Sequence, residues 1–162
     1  MSDGPHIEVD LGAQRLRLFE GTTPLATYPV STAVNGPGEL AGSECTPRGR
    51  HLVRAKIGGG LPLGAVFVSR RPTGERWSPA LADAEPGRDW ILTRILWLSG
   101  CERGRNRLGS VDTMRRFIYI HGAPDGLPLG TPASHGCVRM ANPDVVALFD
   151  AVPVGTPVVI HE

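Results

Sequence analysis

Apolar and polar side chains alternate from the start of the chain. In I-E-V-D-L (7–11) they take turns with the period of a strand that buries one face. L-R-L-F (16–19) repeats the pattern, E-G-T-T (20–23) supplies a tight turn, and L-A-T-Y-P-V (25–30) follows, which predicts antiparallel strands. Residues 35–49 (N-G-P-G-E-L-A-G-S-E-C-T-P-R-G) are turn formers almost throughout and predict a loop. Further strands are expected at H-L-V-R-A-K-I (51–57) and A-V-F-V-S-R (65–70), and the Pro-, Gly- and Asp-rich stretch 72–89 is expected to cover a cleft. D-W-I-L-T-R-I-L-W-L (89–98) predicts a central strand interrupted by Arg94, and F-I-Y-I-H (117–121) another after a polar loop at 101–110. One helix is predicted near the end, with Asn142 as N-cap, Pro143 in the first helical position and Asp144 facing the helix dipole. T-P-V-V-I (156–160) returns as a strand. No repeat or linker interrupts the pattern, so the expectation is one mainly-β domain.

Composition narrows the partners more than the fold. A chain of 162 residues, 41% hydrophobic and 20% charged, suits a single globular domain, and 21 glycines with 15 prolines favour turns over long helices. A net charge of +1 with scattered basic residues gives no case for nucleic acid. No apolar run is long enough for a membrane span. The first twenty residues carry Asp3, Glu8 and Asp10 and hold no signal-peptide core. A cytoplasmic location follows for the chain as written, and a periplasmic one if its N-terminus has been trimmed. Cys45, Cys101 and Cys137 form no C-x-x-C pair, so free thiols are expected rather than a disulfide framework or zinc ribbon. The sequence says nothing of the oligomeric state.

The chemistry concentrates in S-H-G-C-V-R-M (134–140). A reactive thiol needs exposure, a nearby base, a group that orients the base, and donors for an oxyanion. His121 closes one predicted strand, and a loop of fitting length returns the chain to Cys137 beside it. Alternation puts Phe117, Tyr119 and His121 on one face and Ile118 and Ile120 on the other, with His121 at the rim. Gly136 lets the backbone turn so that consecutive N–H groups can face a tetrahedral intermediate. Arg139 shares the face of Cys137 if the segment is extended and can then pair with a substrate carboxylate; otherwise it faces solvent or caps a helix. His135, Cys137 and His121 would make a zinc site only with a fourth ligand, and none stands at metal-site spacing, so no metal or cofactor is expected.

H-G followed by S-H-G-C-V-R-M resembles the signature of the L,D-transpeptidase catalytic domain, or YkuD, family. Y-P-V-S-T-A, T-P-R-G (46–49) and the closing G-T-P-V-V-I are also similar to the family pattern, and the resemblance runs from about residue 6 to 160. It implies a β-sandwich or barrel over residues 6–162 with one short C-terminal helix. It implies Cys137 as a nucleophile toward peptidoglycan stem peptides or soluble muropeptides, and His121 as general base oriented by the Gly122 carbonyl. On the same footing His135, Gly136 and Cys137 line an oxyanion hole, Ser134 supports the loop, and Tyr119 and Arg139 meet substrate. Two departures stand out: the His121-to-Ser134 spacing is short, which predicts a trimmed covering loop, and Arg139 stands where many members have Asn. Amine acceptors would make the chain a transpeptidase, water a carboxypeptidase. A non-catalytic wall-binding module and a general intracellular thiol protease are the readings from other classes.

Overall fold

A computed structural model of the chain describes residues 4–162, and Asp3 of the signal-peptide argument lies outside them. The mainly-β expectation holds. The elements run β1 (Pro5–Asp10), β2 (Arg15–Glu20), β3 (Thr23–Pro29), β4 (Gly49–Ile57), β5 (Ala65–Val68), β6 (Arg71–Arg76), α1 (Pro79–Ala84), β7 (Ile91–Gly100), β8 (Tyr119–Gly122), β9 (Val138–Met140), α2 (Asn142–Ala151) and β10 (Pro157–His161). The strands hydrogen-bond in the order β3-β2-β1-β10-β4-β7-β5-β6, with β8 on β7 and β9 on β8. The β1–β10 and β8–β9 pairs are parallel and the others antiparallel. Among the described residues no helix is long and apolar enough to cross a membrane.

β7 is the branch point that builds the site. Leu92 pairs with Val66 on one edge and Gly122 on the other, and Ile95 pairs with Ile57 and His121. Strand alternation then sorts its side chains between two cores. Leu96 and Leu98 join Ile120, Val138, Met140 and Leu148 of α2 in the large core, while Ile95 and Trp97 join Phe67 and Tyr119 in a small one on the opposite face. Cys137 packs against this second cluster.

Sequence and structure part at several elements. The break expected at Arg94 is a bulge: the β7–β8 register slips between Leu92 and Ile95, and Thr93 adopts φ 72°, which is costly for a β-branched residue. The Arg94 guanidinium is buried and donates through Nη1 to the carbonyls of Leu61 (2.9 Å) and Thr93 (2.7 Å). Residues 72–89 hold the second strand of a hairpin and a short helix that strand-oriented reading missed, α1, capped by Ser78 Oγ on the Leu81 N–H.

Asn142 does not cap α2. Ala141 occupies the cap position without a side-chain bond, and Asn142 is the first helical residue, buried. Its amide oxygen accepts from Thr93 Oγ1 (2.5 Å) and its Nδ2 donates to Asp125 Oδ1 (3.2 Å). The amide satisfies buried polar groups at the β7 bulge, a use that outcompetes the free helix end. Gly122 fits the same spot because a Cβ there would land on the Asn142 amide oxygen and 2.7 Å from the Leu92 carbonyl oxygen. The bulge, Asn142 and Gly122 thus fix the strand that carries His121.

Candidate active site

β8 and β9 run side by side with His121 opposite Arg139, so the loop between them delivers Cys137 one residue before β9 begins. The face they share opens into a cavity of about 410 Å³ lined by Tyr119, His121, Cys137 and Arg139 from these strands, and by Arg70 and Asp89 from elsewhere. Phe117, Ser134 and His135 also reach it. Of the site residues expected from the sequence, Tyr119, His121, Ser134, His135, Cys137 and Arg139 border this cavity, and Gly122 and Gly136 are not among its lining.

His121 is 2% exposed, so the rim position expected for it is wrong. The ring belongs to the cavity wall, on an inner strand paired with β7 on one edge and β9 on the other. His135, by contrast, is exposed. The Nδ1 of His121 lies 2.6 Å from the Gly122 carbonyl oxygen. A carbonyl only accepts, so Nδ1 carries the proton in the neutral ring and Nε2 keeps its lone pair. Burial pulls the imidazole down to about 4, against the Gly122 carbonyl, which favours the charged form.

Cys137 Sγ accepts from the Tyr119 N–H (3.3 Å) and donates to the Phe117 carbonyl (3.4 Å). Burial pushes this thiol up to about 11, and the Tyr119 N–H, which works the other way, does not offset it. Burial thus favours the uncharged form of both the Cys137 thiol and the His121 imidazole, which face the same cavity. Phe117 is not in the strand predicted for it; it sits in a left-handed turn (φ 57°) just before β8, which aims its carbonyl at the sulfur.

The loop before Cys137 is held from both ends. Ser134 Oγ donates to the Cys137 carbonyl (2.6 Å) and accepts from the Gly136 N–H (3.2 Å). The Gly136 amide is thus engaged and is not an open oxyanion donor, while the Cys137 N–H makes no hydrogen bond among the described residues. Gly136 has φ 133°, and a Cβ there would press on Ile118 Cδ1 (3.0 Å) and the Cys45 carbonyl oxygen (3.2 Å). Thr46 Oγ1 donates to the Gly136 carbonyl (2.9 Å) and accepts from the Ala33 N–H (3.0 Å). Arg116 Nη2 binds the Cys45 carbonyl (2.6 Å), so the 35–49 loop buttresses the glycine turn.

Arg139 points along the cavity, with Nη1 on the Ala133 carbonyl (3.2 Å) and Nη2 3.5 Å from Asp89 Oδ1. Tyr119 is buried, and its hydroxyl accepts from Arg70 Nη1 (2.9 Å). Arg70, Asp89, Thr46 and Arg116 were not singled out from the sequence. Thr46 lies in the T-P-R-G turn, which was a usable signal. Arg70 and Asp89 lie at the ends of predicted strands, where nothing local marks them for the site, and only tertiary pairing brings them to the cavity.

Comparison with known proteins adds an independent line. The L,D-transpeptidase catalytic domain (YkuD) profile matches residues 4–160. A probable L,D-transpeptidase ErfK/SrfK of Salmonella typhimurium is 30% identical over 110 residues, 60% of this chain and 35% of that protein. The putative L,D-transpeptidase YkuD of Bacillus subtilis is 26% identical over 157 residues, 96% of this chain and 65% of its own length. The chain thus spans less than two thirds of either relative. In three dimensions, the L,D-transpeptidase LdtMt1 in complex with imipenem superposes with a TM-score of 0.59 at 21% identity, covering 98% of this chain and 59% of that one, a likeness of fold.

Proposed function

The chain belongs to the L,D-transpeptidase catalytic domain family, and from that premise we propose that it is a cysteine acyltransferase acting on peptidoglycan tetrapeptide stems. The observation that carries this reading is one cavity holding both the Cys137 thiol and a buried His121 whose Nδ1 proton is fixed on the Gly122 carbonyl. That contact leaves Nε2 as the basic atom.

In the first step the Cys137 sulfur attacks the carbonyl carbon of the third stem residue as its proton passes to His121 Nε2. Burial favours the neutral form of both groups, and in this reading the proton moves together with the attack. The oxygen of the tetrahedral intermediate takes its negative charge to the Cys137 N–H and the neighbouring His135 N–H, with Gly136 shaping the turn. Collapse breaks the bond to the terminal D-residue, whose amine leaves with the proton from His121, and a thioester remains. An amine acceptor then gives a cross-link and regenerates the thiol; water gives a tripeptide instead. Ser134 keeps the loop in register, and Tyr119 and Arg139 border the stem.

The test is incubation of the protein with a muropeptide tetrapeptide, with and without an amine acceptor, followed by mass spectrometry. Release of the terminal D-residue, a thioester-sized mass increase on the protein, and their loss in Cys137→Ser are expected. A cross-linked product identifies a transpeptidase and a tripeptide alone a carboxypeptidase. D-residue release by Cys137→Ser at the wild-type rate removes the nucleophile assignment. Cleavage of ordinary L,L-peptides points to a general thiol protease, and an inert, folded protein to a binding module.

A further inference from the structure

The cavity has a second arginine that no internal carboxylate occupies. Of the two arginines that line it, Arg139 has a carboxylate oxygen within ion-pair reach, on Asp89, whereas Arg70 has none among the described residues. Its guanidinium carbon lies instead 4.7 Å from the centroid of the Trp97 ring and 4.9 Å from that of Phe117. One donor, Nη1, is spent on the Tyr119 hydroxyl. Both Phe117 and Tyr119 flank the cavity with Cys137, as does Arg70 itself.

Packing alone does not account for this arrangement. Aromatic contacts cover the guanidinium without meeting its need for acceptors, and among the described residues one of its five N–H donors has a protein acceptor. Held by two rings and a hydroxyl, the group has already lost the side-chain freedom that carboxylate binding would otherwise cost. Arg139 is differently placed, since Asp89 and the Ala133 carbonyl already engage it.

We infer that Arg70 is a specificity-determining residue that binds a carboxylate of the acyl donor. The inference rests on the acyl-transfer reading above. A stem peptide offers such a group in two places: at its C-terminus, beyond the bond attacked, or on the side chain of the residue whose carbonyl is attacked. The chemistry at Arg70 is the same for both.

The experiment uses three synthetic tetrapeptide stems: one with both carboxylates free, one amidated on the third residue's side chain, and one amidated at the C-terminus. kcat/KM for D-residue release is measured with the wild type, Arg70→Gln and Arg70→Lys. The wild type should prefer the free acid over one of the amides by on the order of 10–100-fold, the range of a charge-assisted hydrogen bond. The amide that is disfavoured identifies the carboxylate. Arg70→Gln should erase that preference while losing little on the disfavoured amide, and Arg70→Lys should keep part of it. Equal losses by Arg70→Gln on all three stems overturn the inference and make Arg70 a packing residue. So does a wild type that treats the three alike, a result that holds whether or not the variants fold. A wild type that cleaves none of them fails at the earlier step and takes the acyl-transfer reading down as well.

Discussion

His121 reaches the cavity from β8 and Cys137 from the residue just before β9, strands in which Ile120, Val138 and Met140 are fully buried. The β5–β6 hairpin and the stretch through α1 to Asp89 reach the same cavity from the surface. There α1 buries no residue, and Arg88 ties the segment down by pairing with Glu75 and Glu85. The proposed reacting groups sit on the wall backed by the core, and on the other wall are side chains held by stacking and exposed charge. Surface ion pairs contribute little and sheet burial contributes much. If the proposed roles hold, mutations on one wall should change reactivity and mutations on the other should change substrate preference.

The largest effect belongs to the sheet wall. His121→Ala should slow acylation of Cys137 by roughly 10²–10⁴-fold, the range of a positioned general base, without altering which residue is acylated. A carbapenem, a strained acylating agent, gives a readout independent of the natural donor. Intact-protein mass spectrometry with peptide mapping should find one adduct of intact-drug mass on Cys137 and none on Cys45 or Cys101. Labelling of either other cysteine would mean that the wrong thiol was chosen.

The same burial makes the sheet wall acid-sensitive. His121 and His51 both sit near 4 in the folded protein because burial disfavours their charged forms, while an unfolded histidine titrates near its ordinary 6.5. Between these values the unfolded chain binds more protons. Stability is therefore complete above about pH 6.5 and is lost as pH falls toward 4, by up to roughly 3 kcal/mol per histidine. Urea unfolding followed from pH 7 to 4 should show this slope, and His51→Gln, which removes the ring bonded to Gly49 and Thr113, should show a shallower one. An unchanged slope would assign the acid loss elsewhere. The acid limb of kcat/KM should also fall near 4, not 6.5.

The sequence reading found the sheet wall and missed much of the other, for a physical reason. Strand alternation and the S-H-G-C run are local, so they carried the position of β8 and the grouping of His121 with Cys137 without tertiary information. The β5–β6 hairpin acts through Arg70 packing on Trp97 and Phe117, which lie 27 and 47 residues further along. No window of sequence contains that contact. Asn142 was misread for a related reason: a helix-start pattern looks the same whether the amide caps its own helix or satisfies a neighbouring bulge.

Arg139 stands between the walls, on β9 but paired with Asp89. Arg139→Ala should leave the thermal midpoint near that of wild type, because the sheet beneath does not depend on its side chain. Transition-state binding, read from kcat/KM, should weaken by about 1.5–3 kcal/mol, the worth of a charge-assisted contact. An unfolded variant would make the residue structural, and an unchanged kcat/KM would make it idle.

The smallest effect is expected from the outer ion pairs. Arg88 is stacked on Trp90 (4.6 Å to the ring centroid) and binds Glu75 and Glu85, but these charges remain in contact with water. Solvent screens such pairs, and holding long side chains together costs entropy, so Arg88→Ala should leave the thermal midpoint unchanged. Its mark should be local: faster amide exchange across residues 77–89, with β8 and β9 as protected as before. Gly122→Ala supplies the contrast, since its new methyl meets the Asn142 amide and the Leu92 carbonyl inside the sheet, and there the whole domain should lose stability. If Arg88→Ala lowers the midpoint as far as Gly122→Ala does, the two walls are one cooperative unit, and the division between a fixed reacting wall and an adjustable selecting one is lost.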